Sequence, residues 1–104
     1  MRRGEVWWAR FPPPRKSRPV LLVMRDRAYA IRSHITIAPL TRTIRQIPSH
    51  VLAGPADGLP TVSAINLDDL QTIPIADLER RITTLSFEKM AEVDRAIKFA
   101  LALT

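Results

Sequence analysis

The side chains best suited to chemistry in this sequence are arginines and hydroxyl groups, which fall into two short clusters, residues 15–18 and residues 41–45. A guanidinium is permanently charged and can grip phosphate oxygens with two hydrogen bonds, and a hydroxyl can donate one more. The clusters therefore predict a phosphate-binding site. The alternative is that Arg18 is a solvated arginine at a strand end and that the Thr41 hydroxyl bonds only to nearby backbone.

Arg18 is followed by Pro19 and then by an unbroken apolar run, residues 20–24. A run of that length is typical of a strand buried on both faces. Proline has no N–H to give to a sheet and belongs at the first residue of such a strand. We therefore expect Arg18 to lie where a central strand begins.

The other elements read as strands and one helix. We expect extended segments at residues 5–11, 34–40, 49–53, 61–67, 72–73 and 80–85. Ser86 is a suitable N-cap for a final helix, whose predicted apolar face consists of Met90, Val93, Ile97, Ala100 and Leu101. Together these elements predict one mainly β (α+β) domain over residues 1–104, a small antiparallel barrel or half-barrel closed by a C-terminal helix.

The charge of the chain favours an anionic partner. Sixteen Lys and Arg residues against ten Asp and Glu give a net charge of +6, and the estimated pI is about 11.1. Basic domains rich in arginine favour polyanions, and nucleic acid is the leading candidate. The alternative is that the charge only keeps the protein in solution.

Several classes of protein are excluded or disfavoured. There is no cysteine, which excludes disulfides and thiolate metal sites and fits a reducing compartment. His34 and His50 lie far apart without carboxylates at ligand spacing, so we expect neither a metal nor a cofactor. No segment approaches a membrane span, and we expect a cytoplasmic protein.

Five stretches, in order along the chain, resemble the MazF/PemK toxins. Residues 3–7 (RGEVW) resemble the family's R-G-[DE]-[IV]-[WY] opening, and residues 18–23 (RPVLLV) resemble its R-P-[AV]-[LV]-[VL]-[VI] strand. Residues 38–41 (APLT) and 66–73 (NLDDLQTI) resemble A-[PA]-[IL]-T and N-L-D-Q-[IL]-R-T-[IV]. Residues 85–94 are similar to the family's last helix.

The resemblance implies an SH3-like β-barrel that forms a homodimer and cleaves single-stranded RNA, usually messenger RNA, at short motifs without a metal. An antitoxin would bind the same surface. The family's catalytic arginine falls on Arg18, its catalytic threonine on Thr41, and an acidic position used by some members on Asp68. The residues predicted to contact RNA around them are Arg15, Lys16, Ser17, Arg42, Thr43 and Arg45, which could otherwise form only a solvated basic rim.

The chain departs from the family at two places. Members often carry a longer Gly-Ser-Glu-Gln-Gly-type loop before the arginine, where this chain has the compact segment 12–17. The family's usual Gln-Ile-Arg is Asp69-Leu70-Gln71 here, which removes a basic side chain. Neither His34 nor His50 matches a catalytic position.

The chemistry implied for such a nuclease needs no metal, because the 2′-hydroxyl of RNA is itself the nucleophile. The protein must hold the phosphate, stabilise its added charge, accept one proton and return another. Arg18 and Thr41 suit the first two tasks. Arginine is a poor base, and Asp68 is either the carboxylate that takes the proton or a turn residue that could pair with a nearby arginine.

Two other functions stay open. One is a non-enzymatic toxin of the same fold that binds a protein such as DNA gyrase. Those relatives use a tryptophan near the C-terminus, whereas this chain ends Ala102-Leu103-Thr104. The other is a basic barrel that binds nucleic acid without cutting it, against which the joint presence of Arg18 and Thr41 argues. For the nuclease, the charge predicts an antitoxin with an acidic, disordered segment that lies in the basic groove.

Overall fold

Seven strands and two helices are present in the computed structural model, which describes all 104 residues. The strands are β1 (Glu5–Ala9), β2 (Arg18–Leu22), β3 (His34–Thr41), β4 (His50–Ala53), β5 (Ser63–Asn66), β6 (Gln71–Pro74) and β7 (Leu78–Thr84). The helices are α1 (Ala28–Ile31) and α2 (Phe87–Ala100), and short 3-10 turns cover Pro55–Asp57 and Ile75–Asp77.

The strands form one antiparallel sheet in the order β4-β5-β3-β2-β1-β7, with β6 paired to β3 off this path. The first half of β3 pairs with β6, and its last two residues, Leu40 and Thr41, pair with β5. The predicted class, mainly antiparallel β with a C-terminal helix, is confirmed. The expected closed barrel is wrong: the sheet is open, since β4 and β7 are the two ends of the path and are not paired with each other.

Strand β2 is covered on both faces, as its apolar run predicts. Leu21 belongs to one buried cluster, which also contains Val93 of α2. Val20 and Leu22 belong to a second cluster on the opposite face. Alternate side chains of a strand point to opposite faces, so β2 is anchored from both sides, with Arg18 as its first residue.

Helix α2 begins as predicted and ends one residue early. The Ser86 hydroxyl accepts the Lys89 N–H at 3.0 Å, which confirms the N-cap. Val93 and Ala96 are buried against the sheet, and Met90, Ile97 and Ala100 pack at the edge of the same cluster. The prediction that Leu101 joins this face is wrong, because the helix ends at Ala100 and Leu101 is 53% exposed.

Between β2 and β3 the chain forms α1, a single turn of helix where the sequence indicates only a polar turn. Ala28 is buried, and the Tyr29 hydroxyl donates to the Met24 carbonyl at 3.1 Å. One turn is too short to produce a helical period in the sequence. Neither helix is long and apolar enough to cross a membrane.

Candidate active site

An open depression of about 370 Å³ lies beside the end of β3, the start of β4 and the end of β5. Its lining is almost entirely polar and consists of Thr41, Thr43, Arg45, Ile47, His50, Asn66 and Asp68. Four residues predicted for the site are thus brought together: Thr41, Thr43, Arg45 and Asp68. They come from segments that are far apart in sequence. The pairing of β5 with both β3 and β4 brings these segments together.

Thr41 is the last residue of β3 and is half-buried. Its Oγ1 accepts a hydrogen bond from the Thr43 N–H at 3.1 Å. This backbone contact is the predicted alternative to a role in phosphate binding. The two roles are compatible, because a hydroxyl that accepts one hydrogen bond still has its own proton to donate. The contact fixes the side chain while leaving that proton available to a ligand.

Asp68 lies in the turn after β5 and is exposed. Its Oδ2 accepts a hydrogen bond from the Ser49 hydroxyl at 2.5 Å, and its backbone N–H donates to Asn66 Oδ1 at 3.0 Å. Ser49 is 2% exposed. The carboxylate is therefore held against the segment that leads into β4, and it makes no ion pair with an arginine.

Arg18 sits on the strand next to Thr41. Strands β2 and β3 pair with Val20 opposite Pro39, and extending this antiparallel register by two residues sets Arg18 opposite Thr41. The Arg18 side chain does not line the depression itself. Its Nε is buried and has no hydrogen-bond partner. A buried donor left unpaired typically costs about 1–3 kcal/mol, and the half-buried guanidinium makes no ion pair within the chain.

The proline-rich loop between β1 and β2 is tied to the turn before β6. The Arg15 guanidinium lies 4.1 Å from the centre of the Phe11 ring and donates to Gln71 Oε1 at 3.1 Å. Gln71 in turn donates to Asp69 Oδ2 at 3.0 Å. The basic side chain that the family places at position 71 is absent, and Arg15 brings a guanidinium to that position from across the loop.

The remaining predicted contacts do not line the depression. Lys16 is exposed and Ser17 half-buried in the loop, and Arg42 is exposed directly after β3. Lys16 and Arg42 make no ion pair within the chain. Their charges therefore remain available to a partner.

Three lining residues were not predicted: Ile47, His50 and Asn66. His50 is half-buried, and its Nδ1 is buried without a hydrogen-bond partner. The only sequence signal was its place at the start of a predicted strand, close after the basic segment 41–45. His34, by contrast, is exposed at the opposite end of β3, with Nδ1 3.0 Å from the Ser33 hydroxyl. No three His, Asp or Glu side chains are grouped so as to hold a metal ion.

The fold and the site define a small basic β protein with a polar depression beside the end of β3. The sequence profile of the PemK-like, MazF-like toxins of type II toxin-antitoxin systems matches residues 2–101, and the chain belongs to this family. The resemblance drawn from the five short motifs is confirmed.

Curated relatives match over nearly their whole length. The chain is 35% identical over 100 residues to "Probable endoribonuclease MazF5" of Mycobacterium tuberculosis, covering 95% of this chain and 91% of the relative. It is 34% identical to "Probable endoribonuclease MazF" of Mycolicibacterium smegmatis, covering 99% and 98%.

Solved structures agree with these matches. Mycobacterium tuberculosis toxin MazF-mt6 superposes with a TM-score of 0.88 at 31% identity, covering 96% of this chain and 98% of that one. An endoribonuclease in complex with its cognate antitoxin, from a mycobacterial species, superposes with a TM-score of 0.89 at 26% identity, covering 100% and 97%.

Proposed function

We propose that this chain is the endoribonuclease toxin of a toxin-antitoxin pair, cutting single-stranded messenger RNA at a short sequence motif without a metal ion. The observation that carries the proposal is the pairing of two free donors. Arg18 is half-buried and its guanidinium makes no ion pair within the chain, and the adjacent strand carries Thr41, whose hydroxyl proton is free. Two such donors suit a phosphate that gains negative charge.

The reaction follows from this pair of donors. The RNA 2′-oxygen attacks the neighbouring phosphorus, and the bond to the 5′-oxygen breaks. The products are a 2′,3′-cyclic phosphate, or a 3′-phosphate after hydrolysis, and a 5′-hydroxyl. Arg18 and Thr41 stabilise the extra charge of the transition state, and each such donor typically lowers the barrier by about 2.7–4 kcal/mol.

RNA is held by the basic rim of the site. Arg45 and Thr43 line the depression, and Arg15, Lys16, Ser17 and Arg42, on the segments next to Arg18 and Thr41, are the other proposed contacts. Contacts of this kind neutralise backbone phosphates and position the strand. Single-stranded RNA fits an open depression because its bases can turn outward and be read on their edges.

The proposed partner is an antitoxin whose acidic segment occupies the same rim. The solved complex of a related endoribonuclease with its cognate antitoxin supports such a partner. The net charge of +6 supports an acidic segment, which would fold as it binds. We also propose that the toxin is a homodimer and acts in the cytoplasm, where messenger RNA is translated.

The test is cleavage of a long unstructured RNA by the purified protein in EDTA, with Arg18→Ala alongside. The wild type should cut at discrete positions, and the variant should lose about 10²–10³-fold in rate. The matched control is Arg32→Ala, an exposed arginine just before the far end of β3, which should cut normally. Cutting that needs a divalent ion, or that survives in Arg18→Ala, contradicts the proposal.

A further inference from the structure

We infer that His50 is the general base of the reaction, the group that takes the proton of the attacking 2′-hydroxyl. The inference rests on the proposed function and supplies the step that Arg18 and Thr41 cannot perform. It starts from two observations: His50 lines the depression that contains Thr41, and its ring makes no hydrogen bond within the protein, with Nδ1 buried and Nε2 left as the accessible nitrogen.

A histidine kept only for packing normally has its buried ring nitrogen hydrogen-bonded. His50 is held by its backbone instead. It opens β4 opposite Asn66 of β5, and its N–H donates to the Ile47 carbonyl at 3.0 Å. The backbone of His50 is therefore fixed by the sheet, while Nδ1 has no structural partner. Burying an unpaired nitrogen is energetically unfavourable. A protein tolerates this cost most readily where a substrate makes use of the ring.

The other groups of the site are less able to accept the proton. Arg18 and Arg45 stay protonated. The Thr41 oxygen already accepts the Thr43 N–H. Asp68 accepts a short hydrogen bond from the Ser49 hydroxyl, which occupies Oδ2. A neutral imidazole combines an available lone pair with a titration range between pH 5 and 8, which is why histidine is the commonest general base.

The charged groups facing His50 come from three elements. Arg45 lies on the segment after β3 and Asp68 in the turn after β5, and both line the depression. The cross-strand neighbour, Asn66, is uncharged. Helix α2 also packs against β4, where its Lys89 donates to the Leu52 carbonyl at 2.9 Å.

The 2′-hydroxyl proton passes to His50 Nε2, the ring nitrogen that is not buried, as the 2′-oxygen bonds to phosphorus. The bond from phosphorus to the 5′-oxygen breaks, and that oxygen takes a proton from water. The imidazolium then returns its proton to the solvent, which restores the neutral ring.

The test compares His50→Gln with the wild type over pH 5 to 8, using an RNA cut at one mapped site. The variant should lose about 10²–10⁴-fold in cleavage rate, and its pH–rate profile should lack the rising limb of the wild type. Affinity for the same RNA with a single 2′-deoxy residue at the cut site should be unchanged. The matched control is His34→Gln, which alters the chain's other histidine, at the far end of β3, and should match the wild type.

A second variant keeps the inference falsifiable if His50→Gln is inactive for structural reasons. Added imidazole should restore part of the cleavage by His50→Ala, because it can enter the space left by the ring. A variant that no longer binds the deoxy analogue, no rescue by imidazole, or a pH limb retained in His50→Gln would overturn the assignment. If the wild type itself does not cut RNA, the proposed function fails, and this inference fails with it.

Discussion

Replacement of Thr41 by valine tests the chemistry of the site with little change to the fold. Valine has nearly the shape of threonine and is equally favoured in β-strands. The substitution removes one oxygen, which accepts the Thr43 N–H at 3.1 Å and whose proton is free for the phosphate. Stability and catalysis therefore depend on the same atom in different ways.

The two effects differ in size. Thr43 is exposed, so water can take over its N–H, and the loss of that hydrogen bond should lower stability by no more than about 0.5–1.5 kcal/mol. The loss of a donor to the transition-state phosphate should raise the barrier by about 2.7–4 kcal/mol, which is about 10²–10³-fold in rate. A folded but nearly inactive protein is the expected result.

The assay is single-turnover cleavage of a short RNA, with thermal unfolding measured on the same sample. Thr41→Ser serves as the matched variant, because it keeps the hydroxyl and should keep most of the rate. If Thr41→Val cuts at the wild-type rate, the hydroxyl does not stabilise the transition state. If both variants lose activity equally, the loss reflects disturbed packing at position 41 and not the missing hydroxyl.

Two further predictions concern charge. Arg45→Gln removes a cation from the depression, so the slope of log affinity for single-stranded RNA against log salt should become shallower by about 0.7; an unchanged slope would mean that Arg45 meets no phosphate. Burial raises the pKa of Tyr29 to about 12, above its usual value of 10.0. The protonated phenol therefore contributes stability that is complete below pH 10 and is lost as the pH rises toward 12. Ultraviolet titration of this phenol, the only one in the chain, should give a midpoint well above 10, and a midpoint near 10 would contradict its burial.

Much of the fold could be predicted because the signals are local. The apolar run after Arg18 indicates a strand covered on both faces, and Leu21 and Leu22 are indeed fully buried. Ser86 followed by an apolar stripe indicates a capped helix. The single turn α1 could not be predicted, because a helix of four residues has no period to detect.

The site was predictable only in part because it is assembled by strand pairing. Thr41 and Arg18 were found through short motifs, and their adjacency follows from the register of β2 and β3. His50 and Asn66 enter the depression because β4 pairs with β5 in one particular register. A shift of one residue would turn these side chains to the other face, and nothing in the local sequence of residues 49–53 specifies that register.

The tie between Arg15 and Gln71 was beyond prediction for the same reason. It joins residues 56 apart in sequence, across two turns whose geometry is set by the rest of the sheet. The sequence indicated only that a basic side chain was missing at position 71. The structure adds that a guanidinium reaches that place from the proline-rich loop.

The chemical identity of the RNA ends tests the central claim most directly. Fragments made by the wild-type protein in EDTA should carry a 5′-hydroxyl on one side and a 2′,3′-cyclic phosphate or 3′-phosphate on the other, and a single 2′-deoxy residue at the cut site should abolish that cut. A 5′-phosphate, or cutting of the 2′-deoxy substrate, would mean that water and not the RNA's own hydroxyl is the nucleophile. Either result would contradict the role given to Arg18, Thr41 and their depression.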